Sequence, residues 1–145
     1  KNRSGYAVRR TYCPTTNIFL HRIVNKTPEG MQTDHINHNG LDNRKENLRT
    51  CTNMQNNWNR LKKKGKSSKY KGVSWGKQRQ RWSVYICMNY KQVCLGTTVV
   101  SETEAGMAYD QAARKLFGEF ALLNFPNSIS GFHFKFKDQI KLYKK

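Results

Sequence analysis

Acidic side chains are scarce: 9 Asp and Glu stand against 27 Lys and Arg in 145 residues, a formal charge of +18. An imbalance of that size speaks about partners, because a chain so one-sided in charge is built to meet a polyanion. Nucleic acid is the first candidate. Long apolar runs are missing as well. None approaches the roughly 20 residues that a spanning helix needs, and no signal peptide is visible, so a membrane partner is not expected and cytoplasmic residence is the default. The chain starts at Lys1 without a Met, so its natural start is expected upstream, where any targeting element would lie. Metal-binding cysteine patterns are absent too. Cys13, Cys51, Cys87 and Cys94 contain no C-x-x-C pair and no His at zinc-finger spacing, which excludes the common structural zinc sites. Cys87 and Cys94 can face each other across a hairpin, but in a reducing cytosol they are read as free thiols. The length suits two small domains, each below the size at which a single core is comfortably stable.

What the chain does have is concentrated in residues 33–60, TDHINHNGLDNRKENLRTCTNMQNNWNR. Asp34 and His35 adjoin, Asn47 follows twelve residues after His35, and Asn56 nine after that. Singly, each asparagine reads as a turn residue; the ordered set is what is specific. A carboxylate with amide oxygens suits one hard cation, since Mg²⁺ keeps several waters and takes one or two protein oxygens plus substrate phosphate. An imidazole, with an ordinary pKa of roughly 6.5, can take a proton from water near neutral pH. Residues 31–36 read as a short strand, HNGLDNRKEN as a turn-rich loop, and residues 48–50 as a second strand. Thr52 and Gln55 have capping-box spacing, so a helix is predicted from there, with Asn56 in its first turns facing Asp34 and His35.

These residues resemble the HNH, or ββα-metal, nucleases, most closely the homing endonucleases of phages and mobile introns, over residues 19–60. The LHR of residues 20–22, the DNR of residues 42–44 and the ENLR of residues 46–49 also match that pattern. The resemblance implies Asp34 and Asn56 as metal ligands, His35 as general base, and Asn47 as the asparagine that ties the loop and supports the base. It implies Mg²⁺, or another divalent cation such as Mn²⁺, double-stranded DNA as substrate, and residence in a bacterial host or phage-infected cell. The connection from His21 to Asp34 is short for the family. Upstream, residues 5–24 read as a hairpin turning at Pro14 and Asn17. His21 is read as packing against the ββα unit, with a second catalytic role as the alternative. Arg22 is a candidate phosphate contact, with pairing to a carboxylate as the alternative.

Residues 62–69 are lysine-rich with Gly and Ser, and read as a solvated basic linker between a nuclease domain, 1–61, and a second domain, 70–126. Three strands are predicted over residues 70–75, 81–88 and 91–97. Trp82, Val84, Ile86 and Met88 alternate with Ser83, Tyr85 and Cys87. Ser101 and Glu104 form a second capping box, opening a helix whose Ala105, Ala108, Tyr109, Ala112, Ala113 and Leu116 share one side and which ends at Gly118. YKGVSW, VCLGT and TEAGMAYDQAARKLFGEFALLNFP resemble the Apetala or ethylene-response-factor DNA-binding domain over residues 69–126. That family docks a three-stranded sheet in the major groove. Where its members place contacting Arg and Trp, this chain has Lys71, Ser74, Tyr85, Cys87, Gln92 and Cys94. Lys77, Arg79, Arg81 and Lys91 are candidate phosphate contacts. Trp75 is a candidate DNA contact, whereas Trp82 is read as core. The basic tail, 127–145, reads as a strand or a DNA-ordered arm, and His133 as structural.

The expected fold is therefore α+β, a ββα-metal HNH domain followed by a three-stranded antiparallel sheet packed on one helix. The expected function is metal-dependent hydrolysis of a DNA phosphodiester at a preferred site. A non-catalytic DNA-binding regulator on a nuclease-like scaffold is the alternative. A single such site cuts one strand per encounter, so double-strand cutting requires a homodimer or a second encounter.

Overall fold

The computed structural model describes residues 5–99, 101–128 and 134. Two compact units, Lys1–Asn59 and Arg60–Lys145, divide the chain. Both mix small antiparallel sheets with few helices, which is the α+β class. Apart from Asn127, Ser128 and Phe134, the expected tail, with His133, lies outside the described residues.

The first unit opens with a hairpin of β1 (Val8–Tyr12) and β2 (Thr15–Phe19). The hairpin expected to reach residue 24 stops at Phe19. Leu20 N–H donates to the Ala7 carbonyl and closes the ladder there, and the chain winds into α1 (Leu20–Val24). Next come β3 (Gln32–His35), a loop, a 3₁₀ turn (Lys45–Asn47), β4 (Leu48–Cys51) and α2 (Asn53–Asn59). β3 and β4 pair antiparallel from Gln32↔Cys51 to His35↔Leu48, which sets Arg49 directly across from Asp34. A reciprocal cap starts α2: Gln55 N–H donates to Thr52 Oγ1 at 3.2 Å, and Thr52 N–H donates to Gln55 Oε1 at 2.8 Å. The buried apolar side chains described in this unit are Leu48 and Cys51, whereas His21, Asp34, His35, Asn47 and Asn59 are buried and polar. Its interior is therefore held by a polar network, in which each hydrogen bond counts because an unmade one is costly.

In the second unit, β5 (Val73–Gly76), β6 (Arg81–Met88) and β7 (Lys91–Val99) form an antiparallel sheet in that order. α3 (Glu102–Phe117) covers one face. Ser101 Oγ accepts from the N–H groups of Thr103 and Glu104, Glu102 and Glu104 lie in the first turn, and Arg114 and Lys115 in the last, all favourable to the helix dipole. Ala105, Ala108, Ala112 and Ala113 let the helix approach closely, and Val73, Val84, Ile86, Val93, Leu95, Tyr109 and Phe117 fill the contact. The first strand starts at Val73 rather than residue 70, because Gly72 (φ +75°) turns the chain beneath the Tyr109 ring. Asp110, 1% exposed, accepts from the backbone N–H of Asn124 at 2.8 Å and of Phe125 at 2.7 Å, so the closing LNFP is bolted to the helix. Burial pushes its carboxyl pKa up, and these N–H groups pull it back.

The segment 62–69 is not the free solvated linker that its composition implies. Lys62 Nζ donates to the carbonyls of Tyr70 and Val73, Ser67 Oγ accepts from Trp75 N–H at 3.0 Å, and the buried Ser68 donates to Glu102 at 2.8 Å. Composition misses this because two small hydroxyls and one lysine stem do the docking. Among the described residues, no helix is long and apolar enough to cross a membrane.

Candidate active site

Three elements meet at Asp34. β3 carries it, β4 brings Arg49 across the ladder, and the last turn of α2 brings Asn59. Arg49 donates to Asp34 Oδ2 from Nε at 2.9 Å and from Nη2 at 2.7 Å. Asn59 Nδ2 donates to Oδ1 at 3.0 Å and Oδ2 at 2.9 Å. Arg49 thus holds Oδ2, which Asn59 shares, and among the described residues Oδ1 meets only Asn59. His38, on the loop, places Nε2 at 2.6 Å from the Asn59 carbonyl oxygen and so ties loop to helix end.

His35 is 5% exposed. Tyr6 stacks on its ring at a centroid distance of 5.6 Å, and His21 meets it edge-on at 5.1 Å. Its Nε2 lies 3.1 Å from Asn43 Oδ1. His21 is buried with no hydrogen bond at Nδ1, and burial, followed by the neighbouring His35 and Arg22, lowers its pKa to about 4. It packs inside the ring cluster as a neutral group.

Asn47 closes the intervening loop. Its Oδ1 accepts from Asn37 N–H at 3.0 Å, and its Nδ2 donates to Asn37 Oδ1 at 2.9 Å and to the Asp42 carbonyl at 2.8 Å. Asp42 holds Arg44 through two contacts of 2.8 Å, which keep its carboxyl well below the usual carboxylate range.

The donor set around Asp34 fits a divalent cation of the oxygen-preferring kind. As it stands, Asn59 Nδ2 donates to both Asp34 oxygens and, at 3.3 Å, to the His35 carbonyl, so its amide would have to turn over to present Oδ1 to a cation beside Asp34, the cation then replacing those hydrogen bonds. One carboxylate and one amide oxygen match what Mg²⁺ or Mn²⁺ requires from protein when water and phosphate complete the shell. Among the described residues no group of three or more His, Cys, Asp and Glu is placed to hold a metal.

A family model described as HNH endonuclease matches residues 20–58. Protein 3.8 of Escherichia phage T7 is 33% identical over 94 residues, covering 65% of this chain and 76% of that protein. The chain belongs to the HNH endonuclease family. An uncharacterised HNH endonuclease of Acanthamoeba polyphaga mimivirus is 35% identical over 118 residues, covering 72% of this chain and 56% of the relative, so the chain spans just over half of that protein. No solved structure matches. HNH endonucleases as a family act on DNA and generally use a divalent metal ion.

Within this HNH unit, spacing names Asn56 as the partner of Asp34, but Asn56 Nδ2 donates to Gln32 Oε1 at 2.5 Å, and Asn59 takes the place beside Asp34. α2 runs along β3, so the helical turn that sets Asn56 on Gln32 sets Asn59 on Asp34 two strand residues later. Arg22 is not presented to phosphate or to a carboxylate: Nη1 donates to the Met31 carbonyl at 2.9 Å and Nη2 to that of Pro28 at 3.2 Å. Lys71 is turned inward, Nζ donating to the Arg60 carbonyl at 2.7 Å, and burial lowers its pKa to about 8. Trp75 shares the helix-side face with Val73 and meets Trp82 edge-on at 4.9 Å, on the side of the sheet opposite Ser74.

The remaining sheet candidates come together. Register pairs Ser74 with Ser83, Tyr85 with Cys94, and Cys87 with Gln92, and strand alternation puts these on the face away from α3, along with Arg81. Cys87, Gln92 and Arg81 are exposed, and Ser74 lies 3.4 Å from Ser67 Oγ. Lys77 and Arg79 are exposed on the adjoining turn. Sequence reasoning missed Asn59, Arg49, Asn43 and Tyr6 as site residues. Only Arg49 had a readable signal, since pairing the DH strand antiparallel with LRT puts it across from Asp34.

Proposed function

We propose that the chain is a metal-dependent DNA endonuclease of the homing type, whose first unit cuts and whose second unit lends site preference. The observation that carries the reading is the Asn59 amide against the Asp34 carboxylate, with the His35 imidazole on the next residue. Asp34 and Asn59 would hold a divalent cation, which would supply charge stabilisation at the scissile phosphate. His35 takes the proton from the attacking water as the new P–O bond forms and the ester P–O bond breaks. Asn47 keeps the loop closed beneath His35. Arg49 keeps Asp34 fixed through Oδ2. The Apetala-like reading of the second unit is supported by its three-stranded sheet and by the outward set Ser74, Arg81, Tyr85, Cys87, Gln92 and Cys94. A major groove admits such a sheet edge-on or face-on, with Lys77 and Arg79 at phosphates.

Incubation of the full chain with supercoiled plasmid and Mg²⁺ or Mn²⁺ tests this. The first product should be the nicked circle, EDTA should abolish it, and His35→Ala should cut on the order of 10²–10⁴-fold more slowly while still binding DNA. DNA that is bound and left intact with either cation would return the non-catalytic regulator instead.

A further inference from the structure

Which nitrogen of His35 meets water is decided on the far side of the ring. Nε2 faces Asn43 Oδ1 at 3.1 Å, and that contact alone leaves the proton unplaced, because an amide can be turned over without change of shape. The other end of the same amide places it. Asn43 Nδ2 donates to the Leu41 carbonyl oxygen at 3.2 Å. A turned amide would set oxygen against oxygen there, so Oδ1 is the atom that faces His35. An acceptor at that position requires the proton on Nε2, and the lone pair is then on Nδ1. Among the described residues no hydrogen bond occupies Nδ1, while Tyr6 and His21 fix the plane of the ring.

The support beneath Asn43 is itself built. Asp42, its neighbour, is held by Arg44 and by Asn37 Nδ2 at 2.7 Å, and Asn47 Nδ2 donates to the Asp42 carbonyl. Asn47, which the family resemblance implies as the support of the base, reaches Asn37 and Asp42 and does so through the loop.

We propose that Asn43 is the positioning residue that holds His35 in its Nε2–H tautomer and aims the Nδ1 lone pair at the attacking water. This rests on the reading of His35 as general base. The opposite tautomer presents an N–H to the water and cannot accept its proton, so loss of the Asn43 acceptor lowers turnover without removing a DNA contact. Partners that orient a catalytic imidazole typically account for 10–100-fold in activity.

The test compares Asn43→Leu, similar in shape but with no acceptor, with Asn43→Asp, which keeps one. Long-range ¹H–¹⁵N spectra of the imidazoles are recorded on the metal-free full chain, the His35 signals being those lost in His35→Gln. Plasmid cleavage is measured alongside. The parent and Asn43→Asp should show the Nε2–H pattern, and Asn43→Leu a mixture of tautomers. In Asn43→Leu, kcat should fall about 10–100-fold with KM within about threefold of the parent, and Asn43→Asp should recover most of the loss. An unchanged His35 spectrum in Asn43→Leu, or an Asp variant no better than the Leu variant, would overturn the proposal and leave Asn43 a loop residue. A parent that cuts DNA from the Nδ1–H tautomer overturns the Asn43 assignment alone. One that shows the Nε2–H tautomer but cuts nothing overturns the general-base reading, and with it the catalytic half of the proposal.

Discussion

Asn56 and Asn59 lie one helical turn apart on the same side of α2, and the strand beneath them offers Gln32 to the first and Asp34 to the second. A neutral amide beside a carboxylate is the ligand a hard cation can recruit, whereas an amide spent on glutamine is not. Asn59→Ala should therefore raise the Mg²⁺ concentration for half-maximal cleavage by on the order of tenfold or more, with Asn56→Ala close to the parent. A metal titration in which Asn56→Ala suffers more would restore Asn56 as the ligand that the family resemblance implies. His21 offers a separate prediction about stability. Its folded pKa of about 4 lies below the ordinary value of roughly 6.5, so the unfolded chain binds a proton that the folded one refuses. The stability it contributes is complete above pH 6.5 and is lost as pH falls toward 4. Thermal melts of the parent against His21→Phe should show the parent losing about 1–2 kcal/mol more across that window, after discounting for partial solvent access to the ring. Equal slopes for the two would mean that the ring is hydrated or paired. Asp34, His35 and Asn47 were legible because their order and spacing are local. Asn59 and Asn43 were not, because an asparagine's role depends on which carbonyl or carboxylate stands opposite, and that is decided by the pitch of a helix against a strand and by the path of a loop.

At the scale of elements, the second unit was the easier to read. Alternation located β6 almost to the residue, and the Ser101 cap with Gly118 bounded α3, since both signals are properties of a few consecutive side chains. The start of β5 was misjudged because a glycine in the left-handed region looks like any other glycine in a run of apolar residues. Gly72 has φ +75°, and a Cβ there would sit 2.0 Å from Tyr109 Cδ2 and 2.5 Å from Cε2. The ring cannot retreat, because it is buried between helix and sheet. Gly72→Ala should cost about 2–4 kcal/mol, from backbone strain together with overpacking. Gly65, with φ +76° and nothing within 4 Å, supplies the control: its alanine variant should lose only the backbone part, about 1–2 kcal/mol. Chemical denaturation of both variants checks this, and equal losses would show that the Tyr109 contact is not a constraint. Hairpin and helix were confused at residues 20–24 for the opposite reason. Five residues are too few for either period to declare itself, and the Leu20 to Ala7 bond that ends the ladder is invisible without the partner strand.

Across the whole molecule the charge is unevenly divided. The unit Lys1–Asn59 carries +5, from 9 basic and 4 acidic side chains, and Arg60–Lys145 carries +13, from 18 and 5. Electrostatic affinity for DNA is therefore weighted toward the second unit, but charge that is spent inside the fold does not release counterions. Lys71 is such a case, with its ammonium on the Arg60 carbonyl. Lys77, Arg79 and Arg81 are exposed around the turn that leads into β6, next to the outward sheet face. Each phosphate neutralised contributes a slope of about −0.9 in log affinity against log salt, so replacing those three by Gln should flatten the slope by about 2 to 3. Lys71→Gln should leave it where it was. Anisotropy titrations of a duplex between roughly 50 and 200 mM salt, in EDTA so that nothing is cut, measure both variants on the full chain. A triple variant with the parent's slope would remove the turn from the interface, and a Lys71→Gln variant that flattens it would show that this lysine leaves Arg60 for phosphate once DNA arrives. If both hold as expected, the second unit grips DNA from the turn side of its sheet, and the outward residues Tyr85, Cys87, Gln92 and Cys94 are left to face the bases. Substituting those four should then change which sites are cut and leave the salt slope alone, because uncharged side chains displace no counterions.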